Sequence, residues 1–208
     1  MRRAPRRRDQ RGAAAVEAAL VTPVLLLMVF GIIEMAFLMK DNVAVASASR
    51  VGARIASAAP GAGEALCDGE VPCAPGTTPR FAQLAADAME TNGNALPTDQ
   101  VDEIWIYDAN DDGFPNAATS METATCATQC VRYVWSEARG AFRYGGGAWS
   151  EVATDVCATE GRRVGVRLMT THPWVVGFKL WPGFPDSLPV DDHAVMSFEP
   201  LTVEECGS

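Results

Sequence analysis

The side chains that could do chemistry in this sequence are few, and most stand without the partners a reaction needs. His172 and His193 are its two histidines. Asp191 and Asp192 could orient one of them as a base if the segments met in space. No HExxH helix, nucleophile elbow, phosphate-binding glycine loop or cysteine–histidine motif accompanies them. Each histidine therefore reads as a solvated loop residue, and no enzymatic activity is expected. Asp108, Asn110 and Asp112, with Gly113 behind them, follow the first half of a calcium loop, but position twelve is Thr119 where a bidentate glutamate belongs. An acidic turn between strands is the simpler expectation, and neither a metal nor a cofactor is implied.

Two carboxylates are placed more pointedly. Glu17 and Glu34 are the only charged residues between positions 13 and 39. A carboxylate among lipid tails is costly unless it is paired, which favours a functional or paired role for Glu17. Glu34, with Lys40 and Asp41 close behind it, either meets a partner helix or marks the outer interface of a membrane. Cys67, Cys73, Cys126, Cys130, Cys157 and Cys206 all follow the apolar run. No further Cys or His pair at matching spacing completes a zinc site, so structural disulfides are expected, with fifteen complete pairings open.

The elements that hold these residues follow from patterning. Residues 13–39 form roughly 40 Å of apolar helix, more than the roughly 20 residues needed to cross a bilayer. Of the net charge of −9, the first twelve residues carry +5, from six arginines and Asp9, and the remainder −14. A basic flank beside an apolar span places the N-terminus inside and the acidic body outside, where disulfides persist. The arginines have no basic folded surface to extend them, so no nucleic-acid partner is expected. Small or apolar residues at Val43, Ala44, Ser47, Ala48, Val51 and Ile55 prolong the helix to residue 59, which argues for an anchor and stalk in one piece rather than a cleaved secretory signal. Pro23 removes one helix hydrogen bond and predicts a kink or local unwinding.

The chain divides on this reading into a basic tip at 1–12, a membrane and stalk helix at 13–59, a Gly/Pro/Cys loop at 60–80 and an extracytoplasmic domain at 81–208. In the last, 81–90 is a short amphipathic helix stopped by Asn92 and Gly93. Strands are expected at 101–107, 131–135, 141–144, 164–170 and 194–198, and Gly145, Gly146 and Gly147 suit a hairpin or bulged connection. The fold class is α+β, a long N-terminal helix followed by a small antiparallel sheet with a short helix. The stretch 174–184, with Trp174, Phe178, Trp181 and Phe184 among three prolines' neighbours, is unusually apolar and reads mainly as core packing, or as a protein- or membrane-contacting surface if exposed.

The segment RGAAAVEAALVTPVLLLMVFGIIEMAFLMKDNVAVASASRVGAR, residues 11–54, resembles the N-terminal region of TadE-like proteins, the TadE/TadG-type pseudopilin components of tight-adherence (Flp) pilus assembly. The resemblance rests on Arg-Gly, small residues, Glu17, an apolar run, Pro23, Gly31 with Glu34, and the close Arg50-x-Gly52-Ala53-Arg54. It implies a pilin-like fold, a membrane location, partners among pilin-like subunits and the pilus assembly machinery, and a prepilin peptidase acting at Gly12-Ala13. Glu17 would then be residue five of the processed chain; the family often has Phe next, where this chain has Ala18. The freed Ala13 amine could pair with Glu17 of the same or a neighbouring subunit. Gly31, Glu34, Arg50, Gly52 and Arg54 would form a helix-packing surface. A structural role in filament assembly is thus expected; the alternatives are a membrane-tethered adhesin or ligand-binding ectodomain and, more remotely, an extracytoplasmic enzyme.

Overall fold

The computed structural model describes residues 11–60, 78–92, 98–150, 161–175 and 185–199. Helix α1 spans Arg11–Ser57 without interruption, passing through Pro23 with no break in its helical assignment. The expected unwinding at that proline does not occur. The missing N–H removes a single bond from a long helix, and the flanking turns hold the geometry. The helix ends ahead of Pro60, where the Ser57 hydroxyl donates to the Arg54 carbonyl at 3.0 Å and the Ala58 N–H donates to the same oxygen at 3.2 Å. Helix α2, Arg80–Asn92, turns Phe81, Ala82, Ala85, Ala86 and Met89 inward.

A 3₁₀ turn at Thr98–Gln100 leads into five strands: β1 Val101–Ala109, β2 Cys130–Ser136, β3 Ala141–Ala148, β4 Arg163–Pro173 and β5 Ser187–Ser197. They form one antiparallel sheet in the order β3-β2-β1-β4-β5. The fold class expected from patterning is the one observed. The strands run longer than patterning suggested: β5 begins at Ser187 because Pro189, Asp191 and His193 lie on an exposed or edge-facing register that an apolar alternation does not reveal. The triple glycine lies inside β3, where Arg132 pairs with Gly146 and Tyr133 with Tyr144, so Gly145 is the extra residue of a bulge. Gly147, at φ +86°, must be glycine, since a Cβ there would stand 2.3 Å from the Cys130 carbonyl oxygen.

Both helices pack on one face of the sheet. Val45, Ala48, Ala53 and Ala56 of α1 and the buried face of α2 meet Ile104, Ile106, Val131, Tyr133, Val164, Val166 and Leu168. Phe81 fills the middle, edge-on to Trp149 at 5.0 Å and to Phe198 at 5.2 Å. On the opposite face a smaller cluster of Tyr107, Ala109 and Cys130 is closed by Met121 and Cys126 of the β1–β2 connection. Gly165 lies beneath the Tyr107 ring, where a Cβ would come within 2.2 Å of it.

Candidate functional site at the helix–sheet junction

Helix α1 has two halves of different character. From residue 12 through 33 its side chains are exposed or nearly so, including Leu20 at 71 % and Ile32 at 71 %. From Glu34 onward one stripe, at 34, 38, 41, 45, 48, 52 and 56, turns inward, toward the sheet and α2. Steps of three and four residues keep side chains on one helix face. The bare stretch 12–33 measures about 33 Å, close to the roughly 30 Å of a bilayer's hydrocarbon core. Among the described residues α1 is the one helix long and apolar enough to cross a membrane.

At the point where the two halves meet, β4 delivers a histidine. The alternation Val164, Val166, Leu168, Thr170, His172 sends these residues to the helix-covered face. His172 is 2 % exposed. Its Nδ1 lies 2.6 Å from Oδ2 of Asp41, and its Nε2 lies 3.2 Å from Oε1 of Glu34. The same Glu34 oxygen accepts the backbone N–H of Val175 at 3.1 Å. A neutral imidazole donates through one nitrogen only, so two ionised carboxylates on opposite nitrogens call for a second ring proton or a protonated carboxylate. The two carboxylates flank the ring rather than converge on a common point, and with it they form a clamp between helix and sheet. Further along the interface the Ser49 hydroxyl reaches Oδ2 of Asp192 at 3.5 Å.

These contacts correct one expectation and locate a second residue. His172 is a buried strand residue and not a solvated loop histidine: the polar Thr171-His172 ending hid the continuation of the strand to Pro173. Glu34 is buried within this chain, where the sheet folds back and supplies its counter-group. Asp41, in the sequence no more than a charged neighbour of Glu34, supplies the second carboxylate of the clamp. The inward alternation of β4 is the signal that could have found the clamp.

His193 pairs in register with Arg167, while His172 pairs with Leu188. The two imidazoles thus lie on opposite faces of the sheet, well apart along it. His193 stands beside the Phe114 ring, 6.1 Å away, and Asp191 is bonded to Arg167 at 2.8 Å. The histidines and aspartates do not assemble a catalytic group. In the acidic turn, Asn110 Oδ1 accepts the N–H groups of Asp112 and Phe114, and its Nδ2 donates to the carbonyls of Asn116 and Ala118. Asp108 lies 3.6 Å from Arg162. Burial pushes the Asp108 carboxyl up, and Arg162 opposes that shift. Asp111 pairs with Arg163. The loop is thus organised by Asn110, with Asp108 and Asp111 on arginines. Among the described residues no group of three or more His, Cys, Asp or Glu side chains could hold a metal.

The remaining candidates are dispersed. Gly12, Ala13 and Glu17 are exposed on the bare half of α1, as are Arg50 and Arg54 on the outer side of its packed half. A Cβ at Gly31 would meet nothing within 4 Å, whereas one at Gly52 would stand 2.8 Å from the Met89 sulfur. Gly52 therefore serves the intramolecular α1–α2 contact. Cys126 and Cys130 form a disulfide that ties the β1–β2 connection to the start of β2. Cys67, Cys73, Cys157 and Cys206 lie outside the described residues, as does 176–184 of the apolar stretch.

Residues 12–54 match the family model described as TadE-like protein. The chain carries a TadE-like region. No curated protein and no solved structure matches the chain. The TadE-like region covers the bare half of α1 and most of its packed half, so it contains both clamp carboxylates, Glu34 and Asp41. Their partner His172 belongs to the sheet domain beyond it.

Proposed function

We propose that this protein is a membrane-anchored, pseudopilin-like structural component of tight-adherence pilus assembly, working by helix packing and protein–protein contact. The observation that carries this reading is the division of its TadE-like helix into a bare apolar half and a half folded onto an antiparallel sheet. A bare helix of bilayer length inserts and packs against other helices, while the sheet presents a folded surface outside. The basic tip argues for a cytoplasmic N-terminus and the Cys126–Cys130 bridge for an oxidising compartment around the domain.

On this reading the chain is organised as a tip at 1–12, an anchor and stalk at 13–59, a connecting loop at 60–80 and an ectodomain at 81–208. A prepilin peptidase would cut between Gly12 and Ala13, discarding the arginines and leaving one amine for Glu17 to pair with, in the same subunit or its neighbour. Glu17 is in position for this because it is exposed on the bare half, one turn from Ala13. Gly31, with open space around it, suits the approach of a second helix, and Arg50 and Arg54 line the outer side of the stalk. Gly52 and Glu34 are engaged within the chain.

The test is purification from detergent-solubilised native membranes, with mass spectrometry of both the co-purifying proteins and the mature N-terminus. Pilin-like subunits or pilus assembly proteins among the partners support the reading. Their absence, with filament-independent binding of the isolated protein to a surface, would replace it with a tethered adhesin.

A further inference from the structure

The apolar exposure of α1 does not stop where the sheet domain begins. On α1 around the clamp, Met35 is 53 % exposed, Phe37 41 %, Met39 60 % and Val43 69 %. These residues flank Glu34 and Asp41 in sequence, so they stand at the same height on the helix as the clamp. Among the described residues outside α1, Val175 is the one large hydrophobic side chain that is exposed, at 59 %. It sits beside the clamp, its N–H bonded to Glu34. Trp174, adjacent, has its indole N–H donated to the Pro185 carbonyl at 2.7 Å. The ionisable groups of the clamp are meanwhile turned inward, the side chains of His172 and Glu34 being 2 % and 4 % exposed, while Lys40 and Asn42 face outward beside Met39 and Val43. Apolar groups outward and ionisable groups paired inward is the arrangement a lipid environment demands and water does not.

We infer that the end of the sheet domain where β4 leaves His172 for Trp174 and Val175 is a lipid-contacting surface, resting in the outer boundary of the bilayer that α1 crosses. It rests on the reading of α1 as a membrane span, and continuity with that span names the occupant. The bare stretch 12–33 brings the clamp to the hydrocarbon boundary after about 33 Å of helix. The apolar residues at 35, 37 and 39 carry the lipid-facing surface another turn and a half outward, alongside Val175. A tryptophan whose N–H is satisfied and a neighbouring aliphatic side chain fit the interfacial zone, where an apolar body meets a polar edge. The clamp holds this end against the helix, so the domain sits on the membrane instead of swinging above it on its stalk.

The experiment uses the full chain in phosphatidylcholine–phosphatidylglycerol nanodiscs, with an environment-sensitive fluorescent amino acid placed singly at Val175, Met39, Leu26 or Thr119. The lipids carry a nitroxide quencher either near the top of the acyl chain or near its end. Thr119 is an exposed residue of the β1–β2 connection at the far end of the sheet. All four positions are exposed, so the label does not enter the core. Quenching at Val175 and Met39 by the shallow nitroxide should exceed that at Thr119 several-fold, with Leu26 responding most to the deep one. Leu26 quenched and Val175 no more quenched than Thr119 would overturn the inference and leave the membrane span standing. Leu26 unquenched as well would overturn both.

Discussion

At the scale of single residues, the consequential group is His172. Removing it by His172→Ala leaves Glu34 and Asp41 buried without their shared partner, which is expected to destabilise the folded chain by about 3–5 kcal/mol. Replacing Glu34, Asp41 and His172 together by Leu should recover most of that loss, since the cost lies in an uncompensated buried charge and not in the missing attraction. Denaturant unfolding of the full chain in micelles, followed by near-UV circular dichroism, measures both. A second residue-scale prediction concerns Asp87 on α2. Partial burial raises its carboxyl above the usual 3.8, repulsion from Glu90 adds to this, and Arg143 opposes it. The folded state therefore binds the proton more tightly than the unfolded state does, so stability falls as pH rises from 3.8 through the raised folded value. Asp87→Asn should accordingly stabilise the protein at neutral pH, and the gain should shrink as pH is lowered into that interval and vanish below it. Paired urea titrations of the two proteins at neutral and acid pH decide it; a gain that does not change with pH would contradict the assignment.

At the scale of elements, two helical glycines separate contacts within the chain from surfaces free for others. Gly52 faces Met89, whose side chain is flexible, so Gly52→Ala should be tolerated: the gain in helix propensity of about 1 kcal/mol offsets a small shift of the thioether. Gly52→Leu, in contrast, must push α2 off α1 and is expected to cost about 1–3 kcal/mol. Gly31→Leu should not weaken the isolated chain, because nothing stands within 4 Å of the added carbon and the helix propensity improves. Any effect of it should appear in assembly. In the sheet, Gly147→Ala combines a left-handed backbone with a collision against the Cys130 carbonyl, and a loss of about 1–3 kcal/mol or more is expected, concentrated at the β2–β3 pairing. Thermal unfolding compares the glycine variants, and hydrogen exchange of β2 and β3 locates the last.

At the scale of the whole molecule, the proposed processing unit of Gly12, Ala13 and Glu17 can be separated from folding, because all three lie on the half of α1 that the sheet domain does not touch. Glu17→Gln keeps size and helix propensity and removes the charge. It should therefore preserve membrane insertion and the fold while reducing incorporation into, or support of, the filament. A bulky residue in place of Gly12 should yield a chain that keeps its arginines. Amino-terminal sequencing of protein recovered from native membranes, together with pilus counts, reads both variants. Normal pili from a Gly12 variant that retains its leader would show an uncleaved anchor. Protease access from outside to the ectodomain, and not to the tip, checks the orientation.

Much of this was legible in the order of residues. The apolar run, its basic flank and its small-residue continuation determine a long membrane helix, because hydrophobic length and charge asymmetry are local properties. The strand runs and their breakers likewise determine an α+β domain, with boundaries short wherever polar residues occupy strand edges, as at 187–193 and 171–173. What tertiary structure alone decided is which polar groups meet. Glu34 and His172 are separated by 138 positions, and their encounter depends on β4 lying beside α1 at the register where the bare half of the helix ends. Likewise, the roles of Gly31 and Gly52 differ because α2 covers one and not the other. Pairings of that kind are set by how the elements pack, and no periodicity along the chain encodes them.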